Sequence, residues 1–108
     1  MTCFLDGLTV GSLVLKASGQ HHKIARLPGI LPFIADVNQF IRSVTAGATP
    51  VLPLELEDMK GKAYDFELKF ENDRVHLSLG LKTADAGIVL LFKWEGRFGD
   101  FCDGFKVF

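Results

Sequence analysis

The chain has 108 residues, enough for one domain around one core. Apolar residues make up 48% and charged residues 23%, which excludes a disordered chain. Twelve basic and 13 acidic side chains leave a net charge of -1, without the basic excess of proteins that neutralise many phosphates. Nucleic acid is therefore not an expected partner.

Residues 1–6 lack the basic and apolar regions of a secretion signal, and no apolar stretch reaches the length of a membrane span. Neither secretion nor a membrane is expected, and a cytoplasmic location follows by default. Cys3 and Cys102 make no disulfide framework, so free thiols are the expectation; a single bridge would require the two ends to meet. Ten Phe and a mean hydropathy of +0.24 are high for a domain this small. A surface that cannot hide every apolar group implies a cover: a twin subunit, another partner or a ligand.

Residues 8–17 read as a strand or bent strand pair interrupted by Gly11. Residues 18–29 read as a loop, opened by Ser18-Gly19 and closed by Pro28-Gly29. Residues 32–46 carry the clear helix. Phe33, Ile34, Val37, Phe40, Ile41 and Val44 form one apolar stripe, Pro32 suits the first turn and Gly47 is the stop.

Residues 50–57 alternate as a strand, and Pro53 assigns it to an edge because it has no N–H to donate. Residues 58–62 form a turn. The strongest pattern spans residues 63–82. A two-residue loop at Asn72-Asp73 pairs Glu71 with Arg74. The same register sets Phe70 against Val75, Leu68 against Leu77, Phe66 against Leu79 and Tyr64 against Leu81. A slip of one residue destroys this match, so the parity of the register is specified.

After a turn at residues 84–87, Ile88, Leu90, Phe92 and Trp94 share a face and extend the same core. Val89 and Leu91 then project to the polar face. Residues 96–99 form a bend, and residues 101–108 supply a fourth strand. The predicted fold is α+β: a single helix packed on a curved antiparallel β-meander, in strand-helix-strands order and two layers, with residues 1–108 as one domain. This order of elements is similar to that of the cystatin-like group. The similarity is one of layout: the inhibitory motif glutamine-x-valine-x-glycine is absent, and Trp94 follows lysine rather than proline. No residue or function is carried over.

His21-His22 reads as solvated loop rather than a metal site, since adjacent histidines diverge and no other ligand lies near. Cys102 lies between Asp100 and Asp103, whose charges oppose thiolate formation, so a structural thiol is expected rather than a nucleophile. Asp100 and Asp103 do not match the calcium-loop spacing. Glu67, Glu71 and His76 share a face and read as a solvated strand surface rather than an acid–base set. No cofactor motif is present.

Two candidate recognition elements remain. Arg97 and Phe98 suit a recognition loop, against the reading that Phe98 tucks into the core. Val89 and Leu91, with the small Ser78 and Gly80 beside them, suit a contact patch, against the reading that the N-terminal strand covers it. The expected function is that of a non-catalytic protein-binding module, of inhibitor, immunity or scaffold type, that self-associates as a homodimer through its sheet. The alternative is a carrier of small apolar ligands, or a small enzyme, with a Phe-rich pocket between helix and sheet.

Overall fold

The computed structural model describes residues 1–7 and 10–107. Leu8 and Thr9 of the first predicted strand, and Phe108 of the last segment, lie outside them. The class is α+β, with one main helix among eight strands in two four-stranded sheets over the described residues.

The first sheet comes from both ends of the chain. Strands β1 (Thr2–Asp6), β2 (Val10–Ala17) and β3 (Gln20–Pro28) form an antiparallel meander. Residues 18–29 are thus a tight turn and a strand rather than a loop. Gly19 supplies the positive φ of 72° that lets Ala17 pair with Gln20. Only Ile24 and Leu27 of β3 are buried, and their spacing of three hides the strand's period. The cause is a bulge: Leu13 pairs with Ile24 but Gly11 with Leu27, and Arg26 takes a positive φ of 53°.

Gly29, at φ 77°, turns the chain into helix α1 (Ile30–Thr45). Ile30, Phe33, Val37, Phe40 and Val44 are its buried residues, and Ile34 and Ile41 flank them. The stripe is the predicted one, extended by a turn that includes Ile30. At the far end Gly47, at φ 93°, donates its N–H to the carbonyl of Val44 and ends the helix as expected.

The second sheet is the predicted meander: β4 (Val51–Glu57), β5 (Ala63–Glu71), β6 (Arg74–Lys82) and β7 (Ile88–Arg97), in that order. All five expected pairs between β5 and β6 are present. Asn72 and Asp73 both have positive φ, 55° and 60°, the backbone of the hairpin turn whose twist matches the strands. Pro53 lies on the edge strand β4, as its missing donor requires.

After β7 the chain departs from expectation. Residues from Phe101 do not form a fourth strand of the meander. They belong to a short helix, α2 (Phe98–Gly104), followed by β8 (Phe105–Val107), which joins the first sheet parallel to β1. Phe101 is fully buried and touches Phe40, Trp94 and Phe105. A β-carbon on Gly104 would strike the carbonyl of Met1, so only glycine lets α2 pass this close to β1.

One core joins both sheets and α1. Cys3, Leu5, Leu13 and Leu15 come from the first sheet, and Phe66, Leu68, Leu77, Leu79 and Phe92 from the second. Phe33 meets Phe66 edge-on at 5.0 Å. Two polar ties anchor β3 to opposite ends of the second sheet. Gln20 bonds the backbone of Lys93 on β7, and the Arg26 carbonyl accepts the N–H of Met59, just beyond β4.

Candidate functional site

The outer face of the second sheet is set by β5 and β6. Glu67 pairs with Ser78 and Asp65 with Gly80, so these residues share that face, opposite the core row of Phe66, Leu68, Leu77 and Leu79. Next to β6, strand β7 changes phase. Leu79 pairs with Phe92, but Gly80 pairs with Leu90, which leaves Leu91 as the extra residue of a bulge.

The phase change corrects the expected contact patch. Val89 pairs with Leu81 on the core side, and Leu91 is half-buried against the core. The apolar residues that project beside Ser78 and Gly80 are Ile88 and Leu90, 60% and 59% exposed. Val89 is itself 50% exposed, because β7 is the last strand of its sheet and the core thins at this corner. Ser78 and Gly80 lie where the periodicity placed them.

The result is a shallow groove of about 550 Å³ on the outer face. Its floor is Ser78 and Gly80, one rim is Ile88 and Leu90, and the other carries Glu55, Asp65 and Glu67. The Lys82 ammonium lies 2.6 Å from the Glu55 carboxylate and 3.4 Å from Asp65. Its hydrogen bond holds the Glu55 carboxyl below its ordinary range.

The lateral edge of β7 is open over Ile88 to Leu90 and blocked further on. There the side-chain amide of Gln20 donates to the Lys93 carbonyl at 2.8 Å and accepts its N–H at 3.0 Å. A single side chain thus stands in for a neighbouring strand, and among the described residues no side chain does the same for residues 88–90.

The other candidates separate. Arg97 is exposed at the entry to α2, whereas Phe98 is half-buried and meets Phe70 edge-on at 6.1 Å, the tucked arrangement. They lie at the junction of β7 and α2 rather than on a loop. His21 and His22 are consecutive strand residues opposite Lys16 and Leu15, so their side chains leave opposite faces. Desolvation, and then the neighbouring His21, lower the pKa of His22. Among the described residues, no three His, Cys, Asp or Glu side chains converge as metal ligands would.

Cys3 and Cys102 are free. Burial pushes the Cys3 thiol up to about 12, and burial together with Asp103 raises that of Cys102. Both shifts run opposite to what a nucleophile needs. Lys69 lies 2.6 Å from Glu71 and holds its carboxyl below the usual range, while His76 and Arg74 share Glu95. A general acid needs the contrary shift.

Comparison of the chain with protein-family models, with curated proteins and with solved structures finds no match to any of them.

Proposed function

We propose that this protein is a non-catalytic binding module that self-associates as a homodimer through the β7 side of its second sheet. One observation carries the reading: an edge strand that exposes three consecutive apolar residues, Ile88, Val89 and Leu90, beside a glycine-floored groove. Edge strands are ordinarily guarded by charge, proline, a bulge or a covering segment. Here Gln20 guards Lys93 and the bulge falls at Leu91, so residues 88–90 retain an open edge.

A second copy suits this edge because an antiparallel strand paired about a twofold is its own complement. Pairing centred on Val89 brings Ile88 of each copy against Leu90 of the other. The buried Phe side chains favour this reading over a ligand carrier. Phe33, Phe40, Phe66 and Phe101 are each at most 3% exposed and pack on other rings.

Sedimentation velocity over a wide concentration range tests the proposal. The wild type should sediment as a dimer, and Leu90→Glu as a folded monomer, since each new carboxylate would be desolvated against Ile88 of the other copy without a partner. A wild type that stays monomeric at high concentration removes the reading.

A further inference from the structure

The two segments that the sequence presents as a loop and a turn meet at a cleft of about 410 Å³. Lys23 and Arg26 line it from β3, and Lys60 and Lys62 from the β4–β5 turn. Ile24 and the buried Tyr64 contribute its apolar surface. Among the described residues none of the four cations has an ion pair, although Lys69, Arg74 and Lys82 elsewhere all do. The positive potential stands against a net charge of -1, so it is a local concentration rather than a property of the whole chain.

Backbone ties hold both walls in place. The bulge at Arg26 gives this residue its positive φ of 53°, a conformation costly for a side chain other than glycine. Its carbonyl accepts the Met59 N–H at 3.1 Å, which fastens β3 to the turn. Within the turn, one carboxylate oxygen of Asp58 accepts the N–H groups of Lys60 and Lys62, each at 2.9 Å. Among the described residues Asp58 is the one carboxylate lining the cleft, and these bonds occupy one of its oxygens. The turn is therefore ordered by its own acid while both lysine side chains remain free of it in the hydrogen-bond network.

We propose that this cleft binds a small phosphate-bearing molecule carrying at least two phosphate charges, with Lys23 and Arg26 on one phosphate and Lys60 and Lys62 on the other. Cations on two facing walls suit a ligand with two anionic centres better than a single ion. The volume falls in the range of small-molecule sites, and Ile24 and Tyr64 offer a surface to the uncharged part of such a ligand. The function proposed above does not depend on it.

The test uses inorganic pyrophosphate, titrated into the labelled protein at low ionic strength and followed by amide chemical shifts. Saturable shifts confined to residues 23–26 and 58–64, with orthophosphate binding more weakly, are expected. Lys60→Gln combined with Lys62→Gln should weaken binding roughly tenfold or more, because two charge-assisted contacts are lost. Arg26→Gln should weaken it as well, and Arg42→Gln, a control on α1, should leave it unchanged. All these side chains are exposed, so the variants keep the fold. Shifts that never saturate, or that spread over the lysines of the whole surface, would overturn the proposal. Tighter binding of a single-stranded oligonucleotide at the same residues would overturn the small-molecule assignment.

Discussion

The side chain of Ile88 occupies the space in which a β-carbon on Gly80 would stand. Its Cγ2 lies over the bare backbone of β6, which seats the apolar rim of the outer groove on its glycine floor. Gly80→Ala should therefore destabilise the protein by about 1 kcal/mol through overpacking, because a β-branched side chain yields little at this point. Adding Ile88→Ala should restore most of the loss, a coupling that a double-mutant cycle by urea denaturation reads directly. A neutral or stabilising Gly80→Ala would mean that Ile88 does not sit there.

Phe40 is 3% exposed and meets Phe101 edge-on at 6.1 Å, at the junction of α1 and α2. Phe40→Ala should cost about 3–5 kcal/mol by chemical denaturation, the lost transfer of the ring plus the cavity it leaves. A loss under about 1 kcal/mol would place the residue outside the core.

Asp73 holds a positive φ of 60° in the β5–β6 turn, next to Asn72 at 55°. Asparagine followed by glycine is the preferred pair for such a backbone. Asp73→Gly should accordingly raise stability, by about 1 kcal/mol at most, since the relief of the left-handed strain exceeds glycine's added chain entropy. A lower urea midpoint for this variant would contradict the turn.

The Cys3 thiol gives stability a pH dependence of known sign. Below the ordinary thiol value of 9.0 both folded and unfolded chains keep the proton, and this group contributes no slope. Between 9.0 and about 12 the unfolded chain loses it while the folded chain retains it, so stability falls as pH rises through that window. Replacing Cys3 by Ala should flatten that part of the profile, measured by denaturation at fixed pH steps. Iodoacetamide should reach half-buried Cys102 in the native protein and Cys3 only on unfolding.

The hairpin of β5 and β6 was legible because every residue of its core row is apolar and, Gly80 aside, every neighbour is polar, from Tyr64 to Leu81. The α1 stripe was legible for the same reason at helical period. Strand β3 was not, because the bulge at Arg26 breaks its period and His21, His22 and Lys23 make it look like a loop. The bulge at Leu91 misled in a second way. Periodicity carried unbroken along β7 assigns Val89 and Leu91 to the outer face, whereas one extra residue hands that face to Ile88 and Leu90. The basic cleft was hidden more deeply, since its lysines come together only when Arg26 and Met59 bond across 33 positions of sequence. Strand β8 depends on α2 carrying the chain back to β1, a return path that alternation does not encode.

Self-association through β7 is tested most directly by isotope-filtered NOEs in a mixture of labelled and unlabelled protein. The proposal expects intermolecular contacts among the methyl groups of Ile88, Val89 and Leu90, lost in Leu90→Glu, and amide protection along residues 88–90 that rises with protein concentration. If those methyl groups show no intermolecular contact at millimolar concentration, and the amides exchange at the same rate when diluted, the β7 edge is not an interface between copies of this chain.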